Sequence, residues 1–233
     1  MKFLGMEKMS LVDYDGLVSA TVFTGGCNFK CPFCHNAPLV SGFENLPTLS
    51  ESEIFSYLEK RKGVIDGVCI TGGEPTLHSD LPIFMEKVKN MGYKIKLDTN
   101  GTNPELVKKV HQNGLCDYFA MDIKNDRDSY AKIIGFDKFD TSKVEKTVEY
   151  FLTSSADYEF RTTLIKQFHS KDNILGIGEW IKGAKKYFLQ KFKFGENCLN
   201  AEGLEPVDNE TTKDYLEFLK NYISFVSTRG YDF

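Results

Sequence analysis

An α/β fold built on a parallel sheet is what the sequence predicts, from three observations. Short runs rich in Val, Ile, Phe and Tyr recur along the chain, longer charged runs of helical period follow them, and the two kinds alternate. The strand runs are Leu17 to Thr24, Gly67 to Thr71, Tyr93 to Asp98, Tyr118 to Ile123, Tyr158 to Ile165 and Lys186 to Gln190. The helical runs are Glu51 to Arg61, Leu81 to Asn90, Pro104 to Gln112, Lys143 to Thr153, Asp172 to Ile181 and Thr212 to Tyr222. A strand, a covering helix and a return to the next strand give parallel neighbours, so six such units read as one sheet, open or partly closed.

Local chemistry supports the individual elements. Ser50 and Asn103 precede helical runs as N-caps, and Pro104 suits a first helical position because its missing N–H is not needed there. Gly92 and Gly114 mark helix exits. No low-complexity linker and no strong internal repeat interrupts the chain. The expectation is a single domain over residues 1–233, with a core at about 16–192 and a helical C-terminal extension at about 205–233.

Composition narrows the class of function. With 233 residues, 41% of them hydrophobic, the chain can bury a sizeable core. Its 29 Lys and Arg against 33 Asp and Glu give a formal charge of -4, which leaves no basic excess for a nucleic-acid groove. No apolar run approaches the roughly 18 residues that cross a bilayer, and the N-terminus lacks the pattern of a secretion signal. A cytoplasmic enzyme with no membrane or nucleic-acid partner is expected. The six cysteines are unevenly placed: Cys27, Cys31 and Cys34 are close together, whereas Cys69, Cys116 and Cys198 are scattered. In a chain of this size that is a poor disulfide framework.

The run Gly25-Gly26-Cys27-Asn28-Phe29-Lys30-Cys31-Pro32-Phe33-Cys34-His35-Asn36 is the most informative. Thiolates are soft metal ligands, and three on one loop can converge on a compact site. An iron–sulfur cluster held by three thiolates would leave one iron open to another ligand. Zinc with His35 as a fourth ligand is an alternative, although His35 directly follows Cys34 and adjacent side chains do not easily turn inward together. A dithiol redox pair of Cys31 and Cys34 would leave Cys27 unexplained.

A second run, Thr71-Gly72-Gly73-Glu74-Pro75, follows a strand. Its glycines permit close backbone approach and Glu74 adds an acceptor, an arrangement able to hold the amino group of an amino acid; a tight turn is the plain alternative. It lacks the dinucleotide fingerprint and the Walker Lys-Ser or Lys-Thr pair. Two later strand ends are unexpectedly polar: Lys96-Leu97-Asp98-Thr99-Asn100-Gly101 and Met121-Asp122-Ile123-Lys124. By period-two alternation Lys96 shares a face with Asp98, and Asp122 with Lys124. Ligands of parallel α/β folds gather at strand C-termini, so these pairs suit a cation or the polar part of a cofactor, with a surface ion pair as the alternative.

Together these residues resemble the radical S-adenosylmethionine superfamily. Cys27, Cys31, Phe33 and Cys34 fit its Cys-x-x-x-Cys-x-aromatic-Cys pattern, and Gly72-Gly73-Glu74-Pro75 fits its methionine-binding motif. Nearly the whole chain resembles the short glycyl-radical-enzyme activases of anaerobic ribonucleoside-triphosphate reductase. The supporting runs are Ser10 to Gly16, Cys34-His35-Asn36, Leu97 to Gly101, Ala120 to Lys124 and Phe160-Arg161-Thr162-Thr163. Asp15 stands where these proteins often have proline.

The resemblance implies a partial (β/α)6 barrel, with Cys27, Cys31 and Cys34 holding one [4Fe-4S] cluster and S-adenosyl-L-methionine on its open iron. One-electron cleavage would then yield methionine and a 5'-deoxyadenosyl radical, which removes an alpha hydrogen from a glycine of a partner enzyme; no side chain is assigned as a catalytic base. It further implies that Gly72, Gly73 and Glu74 position the methionine moiety, and that backbone near Phe33 and His35 meets the adenine. Asp98, Thr99, Met121 and Asp122 would form a monovalent-cation site, the middle two through backbone oxygens. Lys124 would attract the cofactor carboxylate and Arg161 would organise the same polar face. The implied partners are anaerobic ribonucleoside-triphosphate reductase and a flavodoxin or ferredoxin-type electron donor. A small-molecule enzyme such as 7-carboxy-7-deazaguanine synthase resembles the chain in its compact domain, and a zinc-bound structural or interaction module is the alternative outside enzymes.

Only about 36 residues separate Cys34 from the Gly72-Gly73 run, too few for a second cluster domain. Cys69 and Cys116 read as core, and Cys198 as a bystander. His78 reads as part of a capping loop, His111 as structural, and His169 as a loop residue able to reach a mouth of the sheet. Trp180 reads as core, and Lys185, Lys186, Lys191 and Lys193 as local positive patches on a solvated face.

Overall fold

The computed structural model describes residues 1–195 and 197–233. Its elements, in chain order, are β1 (Phe3–Ser10), β2 (Ser19–Thr24), α1 (Ala37–Val40), α2 (Glu51–Lys60), β3 (Gly67–Gly72), α3 (Leu81–Asn90), β4 (Lys94–Thr99), α4 (Pro104–Gln112), β5 (Tyr118–Asp122), α5 (Tyr130–Ile133), α6 (Ser142–Thr153), β6 (Tyr158–Leu164), α7 (Lys171–Trp180), β7 (Tyr187–Lys191), α8 (Asn209–Leu219) and β8 (Val226–Arg229). The fold is α/β: the eight strands follow sequence order in one mostly parallel sheet. Contacts divide the chain into two compact units, residues 1–28 with 38–119, and residues 29–37 with 120–233.

In the first unit β1 runs antiparallel to β2, while β2 pairs parallel with β3 and β3 with β4. The parallel strands are buried along most of their length because helices cover them: Ala20, Val22, Val68, Ile70, Ile95 and Leu97 are all inaccessible. Helix α2 begins at Ser50, whose hydroxyl accepts from the Glu53 N–H while Glu53 reaches back to the Ser50 N–H. Helix α4 begins at Asn103, whose side chain accepts from Leu106 N–H, with Pro104 in its first turn. Gly92 and Gly114 both carry positive φ just past α3 and α4.

In the second unit β6 pairs parallel with β7, and β7 with β8. Helix α6 buries Val144, Val148 and Phe151, and α7 buries Ile174, Ile177 and most of Trp180. Phe151 stacks on Tyr158 with ring centroids 5.1 Å apart, fixing helix against strand.

Two strands depart from the sequence expectation. The antiparallel β1 is an edge strand whose middle, from Glu7 to Met9, is exposed, so its side chains lack a clean alternation. The C-terminal extension contains β8 in addition to a helix, and none of the four residues of β8 is fully buried. Neither segment carries a hydrophobic signal strong enough to announce a strand. Among the described residues no helix is long and apolar enough to cross a membrane.

Candidate radical site

In the first unit, the glycine run lies directly on the backbone that leads into Cys27. Gly73 N–H donates to Thr24 C=O at 2.9 Å and Glu74 N–H donates to Gly26 C=O at 2.8 Å. Gly72 has φ of +117°, and a Cβ there would lie 2.4 Å from Thr24 N; a Cβ at Gly73 would lie 2.0 Å from Gly26 O. Both positions therefore demand glycine for chain-on-chain approach alone. His78 strengthens the same junction by donating from Nε2 to Gly25 C=O at 3.0 Å.

Glu74 is buried, and its carboxylate is committed inward. One oxygen accepts from Thr76 N–H at 3.0 Å, from the Thr76 hydroxyl and from the Thr99 hydroxyl at 2.9 Å; the other accepts from Asn100 N–H at 2.6 Å. Burial pushes the carboxyl upward and these donors oppose the shift. The side chain thus joins the glycine run to the end of β4, and any positioning of an amino acid at this run falls to its backbone.

The same network reaches the first cysteine. The Asn100 amide donates to Asn28 Oδ1 at 2.8 Å and stands 4.0 Å from Cys27 Sγ, while Asn28 donates to Thr102 Oγ1 at 2.9 Å. Sequence reasoning quoted Asn100 within a resembling run but gave it and Asn28 no role; the polar Asp-Thr-Asn-Gly-Thr segment after a core strand was the available signal. Lys96 and Asp98 share a face of β4 and form an ion pair at 3.2 Å. Lys96 is buried, so this is not a surface pair.

In the second unit, Cys31 and Cys34 lie on one turn, with Cys34 N–H donating to Cys31 C=O at 3.1 Å. Burial pushes the Cys31 thiol up to about 11, partly opposed by the positive charge of Lys124. Burial likewise raises Cys34. Both are therefore thiols at neutral pH until a metal displaces the proton. No disulfide joins any of the six cysteines, and the set Cys27, Cys31 and Cys34 has the donor chemistry of an iron–sulfur site. Among the described residues no three of His, Cys, Asp and Glu are gathered as a metal site.

Asp122 accepts from Lys124 Nζ at 2.9 Å and from Arg161 Nε at 2.9 Å. Burial would raise its carboxyl, but the two cations outweigh burial and hold it at about 2. Lys124 is held well above the ordinary lysine range: burial opposes this, and the Asp122 charge overcomes it. Lys124 Nζ also stands 5.9 Å from the centre of the buried Phe33 ring. Arg161 therefore orders the polar end of β5 through Asp122. Met121 is buried next to it, and Thr99 belongs to the Glu74 network of the first unit.

The remaining candidates make contacts within the chain. His35 is exposed and its Nε2 donates to Lys193 C=O. His169, the loop residue expected to reach the mouth, is instead buried; it accepts from Ile165 N–H at 2.9 Å and donates to Lys124 C=O at 2.9 Å. Trp180 packs edge-on to Tyr130 in the core. Cys116 is buried beneath Ile95 and Tyr118 carbonyls. Cys198 is no distant bystander, for its Sγ lies 4.0 Å from Phe33 C=O.

Comparison with known proteins is consistent with this geometry. The family model described as the Radical SAM superfamily matches residues 21–177. A Methanocaldococcus jannaschii protein, named by inference a glycyl-radical enzyme activating enzyme, is 32% identical over 193 residues, covering 81% of this chain and 79% of its own. The 7-carboxy-7-deazaguanine synthase of Koribacter versatilis is 28% identical over 163 residues, covering 69% and 67% of the two chains. Among solved structures, Streptococcus suis SuiB bound to S-adenosylmethionine superposes with a TM-score of 0.66 at 16% identity, over 89% of this chain and 49% of that one. That likeness shows the fold: the partial (β/α) barrel class that the alternating pattern and the resemblance led one to expect.

Proposed function

Because the chain belongs to the radical SAM superfamily and, within it, to the family of glycyl-radical-enzyme activating enzymes, we propose that it activates a partner enzyme by forming a glycyl radical, with anaerobic ribonucleoside-triphosphate reductase as that partner. The observation that carries this reading is the 32% identity to the activating-enzyme relative across 81% of the chain. Cys27, Cys31 and Cys34 would hold one [4Fe-4S] cluster, for which their thiols, none of them in a disulfide, supply a suitable donor set. When bound and reduced, the cluster supplies the electron that splits S-adenosylmethionine into methionine and the 5'-deoxyadenosyl radical that takes a glycine alpha hydrogen.

The protein's own residues then have defined tasks. Backbone at Gly72 and Gly73 would receive the methionine moiety, held in place from behind by the buried Glu74 carboxylate. Backbone near Phe33 and His35 would border the adenine. Asp122, fixed by Arg161, keeps Lys124 charged and positioned beside Phe33, a cation suited to a carboxylate group of the cofactor. Asp98 and Asp122, with backbone oxygens of Thr99 and Met121, are the proposed monovalent-cation ligands. A flavodoxin or ferredoxin-type donor is the proposed reductant, and the cytoplasm the proposed compartment. No general base is required, since the step is a hydrogen-atom transfer.

The 28% identity to a 7-carboxy-7-deazaguanine synthase favours one second reading, a small-molecule reaction with the same cofactors. The two are separated by mixing anaerobically reconstituted, reduced protein with S-adenosylmethionine and candidate glycyl-radical enzymes, then recording the electron spin resonance spectrum. A glycine-centred doublet on the partner is expected. Cofactor cleavage without any partner radical would overturn the activase reading, and colourless protein retaining zinc would overturn the radical reading altogether.

A further inference from the structure

Residues Lys193 and 197–200 touch the cysteine loop and bring Cys198 to it. Three contacts bracket the placement. His35 Nε2 donates to Lys193 C=O. Ala37 N–H donates to Asn197 C=O at 3.3 Å, and Asn200 N–H donates to Pro32 C=O at 2.8 Å. Cys198 N–H donates to Gly195 C=O at 3.1 Å, and the Cys198 Sγ lies 4.0 Å from Phe33 C=O. Phe33 immediately precedes Cys34.

We propose that Cys198 is a resolving thiol for Cys34: in the cluster-free protein the two form a reversible disulfide when a low-molecular-weight disulfide is present. Cys34 is half-buried, as is Cys198, whereas Cys31 is buried, so the outer pair is the one open to attack. In the first step the Cys34 thiol gives up its proton and its sulfur attacks the small disulfide, forming a mixed disulfide and releasing one small thiol that carries the proton. In the second, the Cys198 thiolate attacks Cys34 Sγ, closing the Cys34–Cys198 bond and releasing the other small thiol. The two cysteines lose two electrons and two protons, and both appear in the two small thiols. A loop kept in this form is protected from irreversible oxidation of its cluster ligand, and reduction restores the ligand set. A bound cluster would exclude the reaction by occupying Cys34.

The proposal stands on the thiols alone and is independent of which partner is activated. The test exposes the full-length, iron-free protein to glutathione disulfide without oxygen, alkylates the remaining thiols, and maps unreduced peptides by mass spectrometry. Six free thiols per chain should fall to four, with no glutathione retained and a Cys34–Cys198 cross-link, and dithiothreitol should restore all six. Cys198→Ser should instead retain glutathione on Cys34. A Cys31–Cys34 cross-link, a cross-link between chains, or stable glutathione adducts on the unaltered protein would each overturn the assignment.

Discussion

Replacing Glu74 by alanine strips the acceptor from two backbone N–H groups at once, those of Thr76 and Asn100. Leaving such buried donors unpaired should cost about 3 kcal/mol, read from urea unfolding of the cluster-free protein. An unchanged midpoint would mean the carboxylate does not bear that load. Asp122 makes a different prediction, one of pH. Its pKa is depressed to about 2, so the stability it contributes is fully present above its ordinary value near 4 and is lost as pH falls toward about 2. Unfolding free energy measured across that window should drop by about 2 kcal/mol in the unaltered protein. In Arg161→Met the carboxyl loses a cation and the drop should shrink and be complete at a higher pH; superimposable profiles would contradict the account. At this scale the three loop cysteines stand out in the sequence because their spacing is that of a superfamily motif. The partners of Glu74 were not, because a network joining residues 28, 74 and 100 exists only after folding. Cys198 was hidden for the same reason, lying 165 positions from Phe33 in the chain.

Among elements, strands β2 to β7 and their main helices were readable because each strand buries an apolar run, with N-caps marking several of the helices. Strand β8 was not readable, and its attachment explains why. Arg229 reaches from β8 to Glu159 on β6, with contacts of 2.6 and 2.8 Å to the two carboxylate oxygens, and its guanidinium lies 3.7 Å from the Phe188 ring centre on the intervening β7. The element is held by a long-range ion pair rather than by a hydrophobic pattern of its own. Since Glu159 is fully buried, Arg229→Met should destabilise by about 3–5 kcal/mol in denaturant unfolding, by stranding a buried charge. Adding Glu159→Gln should recover part of the loss; a double variant no better than the single one would remove the ion pair from the explanation. At the β3 exit, Gly73→Ala places a methyl against Gly26 C=O, and overpacking of this kind costs about 1–3 kcal/mol or more. Its unfolding midpoint should fall even without cofactor, because the crowding is within the chain.

For the molecule as a whole, sequence reasoning reached the α/β class and the superfamily through two motifs whose relation the structure makes physical: the glycine run hydrogen-bonds the backbone that leads into Cys27. What a single chain does not carry is its partner, since recognition of another protein is written on two surfaces. The central claim is therefore about one hydrogen atom, and isotopic labelling follows it. A partner glycyl-radical enzyme made with glycine deuterated at the alpha carbon is mixed with reduced, cluster-loaded protein and S-adenosylmethionine, and the 5'-deoxyadenosine is analysed by mass spectrometry. The account predicts deuterium in the 5'-deoxyadenosine in proportion to the glycyl radical formed; 5'-deoxyadenosine that accumulates without deuterium would contradict it.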